Sequence, residues 1–474
     1  MSETRTVETS GLTLELARRA CANYHHGTLP EDLTRIAVQC VIDWHAVTVA
    51  ALADPVHLAL VKQMRSYAGL GGARVVGQPD VYPAEQAALI NGATAHALDF
   101  DDVNLAMSGH PSAVIFAAAL AMAQEQGSSG KQLLAAFVAG YETACAIGQL
   151  MCPDHLKRGF HSTATICIFG ATVACAHLRG FDPVRMAMAM GIAGTRAAGL
   201  KAVFGTMVKP LHAGLAARSG LEAVQFVDAG FDCCTDILER PLGFVETHGT
   251  DFHVQAALSD FFPGRHLRNT LFKYEAACYG ANGPIRCTRE LRDQYQIEPA
   301  QVASVHVRVD QSVGGICVIS RPVTGLQGKF SLEGNAAFIL AGIDTGSIQS
   351  YTDDNVARPD VIALRDKVHV ELQQGWPKMQ AEVEIVCTDG RVLRQRHDAG
   401  LPESDLGRQG QLLTDKFHRL VSPVIGQASA ASKLAELQAL ASLDCVSQLN
   451  SAVSCMTSQT THNRSTDTSG ASPQ

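Results

Sequence analysis

The sequence predicts a mainly α protein, with a large all-helical domain and a smaller α+β lid domain. Three observations lead there. Alanine-rich apolar runs with helical spacing fill most of residues 12–230, apolar–polar alternation replaces them after about 265, and helical spacing returns over 405–445. At 474 residues the chain is also too long for one ordinary core. The expected organisation is a first helical part over 1–265, the lid domain over 266–400, and helices over 401–450 that rejoin the helical domain. The polar stretch 451–474 has few hydrophobic residues and reads as a disordered tail.

Each element has its own signals. Residues 12–54 read as helix with a His-Gly break, and Pro30-Glu31-Asp32 places a proline and two acids where a first turn favours them. VHLALVKQMRSY continues the helical period, and AGLGGARVVGQ then reads as a turn. It is not a dinucleotide loop, because no strand precedes Gly69 and the spacing is not G-x-G-x-x-G. Helices are expected over 84–98, 112–126, 130–150, 162–179, 183–199 and 210–229, with Asp182-Pro183 opening one and Gly230 closing another. In the lid region VASVHVRVD (302–310), KVHVELQ and the hairpin AEVEIVCTDGRVLRQRHD, turning at Asp389-Gly390, alternate as strands do. A helix over 330–342 sits between them.

Composition narrows the function classes. The net charge is −8 and no dense Lys/Arg cluster occurs, so a nucleic-acid partner is not expected. The 14 cysteines include no C-x-x-C pair and read as reduced, mostly buried thiols. MSETRTVETSG has no apolar core for a secretory signal, and no unbroken apolar run has membrane-spanning length. A cytoplasmic protein without a membrane partner is the expectation.

The chemistry is concentrated in a few stretches. HALDFDDVNLAMSGHP (96–111) holds three aspartates and two histidines. It lacks the glycine of a calcium loop and the H-E-x-x-H of a zinc helix, so no metal is expected there, and a solvated cap or turn is the plain alternative. RGFHSTATICIFG puts His161 at a helix start, where free backbone N–H groups favour an anion. GTMVKPLHAGLAARSG places Lys209 just before Pro210 at another helix start, and LFKYEAACYG places Lys273 where helical and lid regions meet. Singly, each residue is an ordinary cap or a snorkelling lysine. Together they describe histidines, an aspartate and lysines that could meet in one cleft and abstract a proton beside a carboxylate without a metal or cofactor.

HALDFDD with its His-Pro, GFHSTAT, FGTMVKPLHAGLAARSG and FKYEAACY occur in the order found in the MmgE/PrpD family, which this chain resembles up to about residue 445. That family contains 2-methylcitrate dehydratases, cis-aconitate decarboxylases and iminodisuccinate epimerase. The resemblance implies a helical domain with an α+β lid, a homodimer, and a site between the domains. It also implies Asp99, His110 and His161 as catalytic residues and Lys209 and Lys273 as substrate-binding residues. The lysines would neutralise substrate carboxylates, the histidines would exchange the proton, and Asp99 would tune a histidine or act as the base. Three positions depart from the family's pattern: Val103 stands where decarboxylase-like members carry a threonine, Val318 where decarboxylases carry a tyrosine, and Asn282 where many members carry a histidine. The expected activity is therefore a cofactor-free lyase on a citrate-like polycarboxylate, foremost a 2-methylcitrate or alkylcitrate dehydratase. A cis-aconitate-type decarboxylase, an iminodisuccinate-type epimerase and an inactive scaffold dimer stand as alternatives. Clustered cysteines for an iron–sulfur cluster, the other route to such a dehydration, are lacking.

Overall fold

The computed structural model describes residues 11–24, 28–249, 263–315, 317, 319–447 and 449. The His-Gly break at 26–27, the position Val318 and the expected tail over 451–474 lie outside the described residues. The fold is mainly α with a smaller α+β part. The helices in order are α1 Leu12–Asn23, α2 Glu31–Ala50, α3 Pro55–Gln63, α4 Ala84–His96, α5 Pro111–Gln126, α6 Gly130–Met151, α7 Cys167–Leu178, α8 Pro183–Gly194 and α9 Val208–Asp228. The glycine-rich stretch after α3 is not only a turn: it contains β1, Ala73–Arg74, paired antiparallel with β2, Val81–Tyr82.

Small residues let these helices approach closely. α4 lies along both α5 and α9, and α6 packs on α7. A Cβ on Gly214 of α9 would stand 2.2 Å from the Leu89 carbonyl oxygen, so only glycine permits the observed α4–α9 contact. α6 has the length and hydropathy of a membrane span, but 94% of that stretch is buried among its neighbours.

Two expected helices end differently. The run 162–179 breaks at Ile166 into a single turn, Ser162–Thr165, and α7. The Thr165 hydroxyl is held 2.6 Å from His155 Nε2, and Phe169 N bonds Ile166 O in a tighter turn that closes the break. The run 183–199 stops at Gly194, after which the chain extends to Gly199, whose φ of 147° suits glycine.

The α+β part begins with α10, Tyr279–Tyr295, followed by β3 Val302–Asp310, α11 Leu332–Leu340, α12 Pro359–Arg365, β4 Val368–Gln373, β5 Gln380–Cys387 and β6 Val392–Asp398. The sheet order is β4-β3-β5-β6, with β3 and β4 parallel and the other pairs antiparallel. The β5–β6 hairpin turns at Gly390, φ 88°. α10 packs on β5 and β6 and α11 on β4, while the other face carries cross-strand ion pairs such as Arg308 to Glu382 at 2.8 Å. Finally α13, Leu406–Ile425, and α14, Gln427–Gln438, return to α2. Lys416 of α13, 1% exposed, reaches Asp43 Oδ1 at 2.6 Å and the Phe100 carbonyl at 2.7 Å, fastening the return to the loop after α4.

Two predictions follow from this packing. Gly214→Ala should lower stability by about 1–3 kcal/mol, because the added methyl meets backbone rather than a yielding side chain. Equilibrium denaturation measures it. The second concerns pH. Burial pushes His57, His96, His155 and His266 down to about 4, so the unfolded chain takes up protons there first and stability falls as pH drops from about 6.5 towards 4. Burial pushes Asp102 up to about 8 and Glu142 up to about 7, so the native state keeps protons the unfolded chain releases near 4, and stability falls as pH rises through that window. These four imidazoles, joined by His161, which burial holds lower still, outweigh the two acids below 6.5, and the acids dominate just above it. Thermal unfolding should therefore show maximal stability near about pH 6.5, and Asp102→Asn should flatten the alkaline side.

Candidate active site

α4 ends at His96, and three residues later the backbone of Asp99 turns into the left-handed region at φ 52°. A non-glycine residue there carries a conformational cost, which aspartate tolerates better than most. The turn leaves the Asp99 carboxylate 38% exposed, while Asp101 and Asp102 beside it are fully buried. The following loop is closed by the Asn104–Gly109 bridge, and by Asn104 Nδ2 donating to the His266 carbonyl at 2.9 Å. It delivers His110 to the position just before Pro111, the first residue of α5.

Asp99 is the meeting point. Lys209 Nζ donates to its Oδ1 at 2.6 Å, and Lys273 Nζ reaches its Oδ2 at 3.0 Å and its carbonyl oxygen at 2.5 Å. His110 Nε2 lies 3.5 Å from Oδ1. Burial alone would raise the Asp99 carboxyl, but the ammonium groups of Lys209 and Lys273 outweigh it and hold it well below the usual carboxylate range. Burial would likewise lower Lys273, 1% exposed, but Asp99 and Asp101 outweigh it and raise its pKa. Lys273 is thus not a surface residue before a linker. Its segment is joined to the aspartate loop by reciprocal backbone bonds between Val103 and Leu271, at 2.8 and 2.9 Å.

A second carboxylate serves two imidazoles. Asp101 Oδ2 accepts from His96 Nδ1 at 3.0 Å, and its Oδ1 lies 3.3 Å from His110 Nδ1, close enough for attraction but not aligned as a hydrogen bond. Burial would raise Asp101, and His110 and His96 outweigh that to hold it low. The His96 ring packs 4.7 Å from His110 and 5.6 Å from His161, centroid to centroid. His161 completes the group: its Nδ1 is 3.3 Å from His212 Nδ1, and the edge of its ring meets Phe204 at 5.0 Å. Burial, helped by His96 and Lys209, holds His161 far below the ordinary imidazole value, so it enters any reaction as a neutral base.

The structure therefore brings Asp99, His110, Lys209 and Lys273 into direct contact and sets His161 beside them. His96 and Asp101 are not surface residues. Both are buried and hold the site's geometry, while Asp102 is tied to Ser112 Oγ at 2.6 Å. Sequence reasoning missed His212, although its i, i+3 spacing from Lys209 on α9 places both on one face. A cavity of about 390 Å³ lined by Gly199, Leu200, Val203 and His212 opens beside His161. Another of about 490 Å³ lies behind the Lys273 segment, against Tyr274, Tyr279 and Arg286, and is lined by none of the five expected site residues.

One ligand atom from each of His96, Asp99, Asp101 and His110 falls within 4.8 Å of the others, the geometry of a cation site. The two ammonium groups already on Asp99 oppose a dication there, and Asp101 is committed to its imidazoles. The set fits an acid–base network better than a metal cage. Removing the shared carboxylate should test this. Asp101→Asn should leave the fold intact and lower turnover about 10²-fold, because His96 and His110 lose the carboxylate set between them. Undiminished turnover would place Asp101 outside the chemistry.

Two family models match this chain: the MmgE/PrpD N-terminal domain over residues 15–257 and the MmgE/PrpD C-terminal domain over residues 276–441. A cis-aconitate decarboxylase of Aspergillus terreus is 26% identical over 466 residues, covering 91% of this chain and 92% of the relative. The cis-aconitate decarboxylase of Mus musculus is 26% identical, with 88% of each chain covered. That of Homo sapiens is 25% identical, covering 68% of this chain and 70% of the relative. With its two halves matched in order by the two models, the chain belongs to the MmgE/PrpD family.

Proposed function

We propose that this protein is a lyase that moves a proton at a carbon next to a carboxylate of a citrate- or aconitate-like polycarboxylate. The observation that carries this reading is the convergence of Lys209 and Lys273 on Asp99, with His110 and neutral His161 alongside. The ammonium groups receive the substrate's carboxylates and stabilise the charge that spreads into them as an adjacent carbon becomes anionic. One imidazole takes the proton and the other, charged, returns one, which is worth typically about 10²–10⁴-fold.

Loss of CO₂ from cis-aconitate is the leading form of this reaction, supported by the decarboxylase relatives that span the chain. The bond to one carboxyl carbon breaks, its electron pair stays on the substrate, and an imidazolium protonates the resulting carbanion. Dehydration of 2-methylcitrate or a related alkylcitrate is the second reading. It is favoured by Val103, which lacks the hydroxyl of the threonine in decarboxylase-like members; its backbone bonds Leu271. There a base removes the carbon-bound proton and hydroxide leaves with a proton from the acid.

Incubation in D₂O with cis-aconitate, citrate, 2-methylcitrate and iminodisuccinate, followed by NMR, separates the outcomes. CO₂ loss, water loss and deuterium exchange with inversion give different products. If no polycarboxylate in the panel turns over or exchanges a proton, the lyase reading fails. His110→Ala and Lys209→Ala should each lower turnover by about 10²-fold or more while far-UV circular dichroism stays that of the parent.

A further inference from the structure

We infer that His212 is a positioning residue that acts through His161, carrying protons between that buried imidazole and solvent. This deepens the lyase reading above and rests on it.

His161 is 3% exposed, so with a substrate over it a proton it has taken has no direct path to water. Its ring packs against three others: Phe204 at 5.0 Å, His212 at 5.5 Å and His96 at 5.6 Å, centroid to centroid. Phe204 has no basic atom. His96 is itself buried, with Nδ1 committed to Asp101 at 3.0 Å and Nε2 closed off from solvent. His212 differs from both. Its Nδ1 lies 3.3 Å from His161 Nδ1, and its half-buried ring lines the cavity of about 390 Å³, a wall to which His161 does not contribute. Leu200 on the same wall is exposed, so the cavity opens to solvent. The contact is held from both sides. His161 N donates to the Gly199 carbonyl at 2.9 Å, and His212 rides on α9 one turn after Lys209.

Two imidazoles joined Nδ1 to Nδ1 share one proton, one ring donating and the other accepting. With that proton on His161 Nδ1, its Nε2 keeps the lone pair that a base needs, and His212 Nδ1 is the acceptor. As His161 Nε2 takes a proton from the substrate carbon, its Nδ1–H bond breaks and that proton joins His212 Nδ1. The imidazolium formed on His212 then breaks its Nε2–H bond and gives the proton to water at the cavity. Run backwards, the same passage restores both rings and delivers a proton to the site. Either form of the reaction needs it. Loss of CO₂ from a carboxylate consumes one proton per turnover, and dehydration leaves the base holding one; an imidazole can pass either at ordinary pH.

Steady-state turnover of cis-aconitate, citrate and 2-methylcitrate, with small bases added to the buffer, tests the relay. His212→Asn keeps an acceptor for the His161 Nδ1–H but cannot carry a proton onward. It should lower kcat about 10²-fold with little change in KM, while far-UV circular dichroism stays that of the parent. Added imidazole, small enough for the cavity and able to replace the lost base, should restore much of kcat and do so saturably. Pyrazole, of the same size but a far weaker base, should not. Undiminished kcat in His212→Asn overturns the relay while the lyase reading stands. So does a loss that imidazole leaves unchanged, or one that pyrazole relieves equally. A parent that turns over none of the three substrates overturns both.

Discussion

Two ammonium groups on one carboxylate, Lys209 and Lys273 on Asp99, tie together the end of α4, the start of α9 and the entry to the α+β part. An isolated buried lysine loses its charge or its place, since desolvation costs several kcal/mol. Lys273 keeps both because it reaches a carboxylate and a backbone carbonyl of the same residue. The left-handed turn at Asp99 presents those two acceptors together. Without that turn the carboxylate and carbonyl would diverge, and the segment carrying Lys273 would be held only by its backbone bonds between Leu271 and Val103.

One of these cations also bears on the imidazoles. Burial is the main cause holding His161 and His96 neutral, and Lys209 adds to it in both cases. A base is thereby kept unprotonated beside an anion-binding pocket, the state it needs before a carbon-bound proton can be taken. Asp101 opposes the cations from beneath, holding one ring by a hydrogen bond and the other by charge. Below it, Lys416 joins Asp43 to the Phe100 carbonyl, so the floor of the site belongs to helices far apart in the chain.

Much of this was legible in the sequence because it rests on local pattern. Helical spacing located α4 to α6, Asp182 caps α8 through bonds to Val184 N and Arg185 N, and Asp389-Gly390 marked the β5–β6 turn. What local pattern could not carry depends on tertiary partners. The break at Ile166 comes with a hydroxyl held by His155, ten residues upstream of Thr165. Asp101 and His96 belong to a stretch that pattern alone explains equally well as a solvated cap, whereas both are buried. His212 meets His161 at 3.3 Å across 51 residues of chain, a pairing that spacing along either helix does not show.

The distribution of cations bears on which bond breaks. A carboxylate that leaves as CO₂ must lose its negative charge, and an ammonium paired with it stabilises the ground state and slows that loss. A decarboxylating site therefore needs cations on the retained carboxylates and a poorly solvated, apolar berth for the departing one. Leu200 and Phe204 beside His161 are apolar but 56% and 40% exposed, so that side is open to water rather than a closed berth. A dehydrating site has the opposite need: every carboxylate can be clamped, provided an acid faces the departing hydroxyl. Two lysines meeting at one carboxylate position satisfy the second requirement directly. Lys209 Nζ stands 5.7 Å from the Phe204 ring centroid, so a carboxylate against Phe204 keeps a cation beside it. How far a substrate carboxyl lies from Lys209, rather than the identity of the acid and base, is then what separates the two reactions.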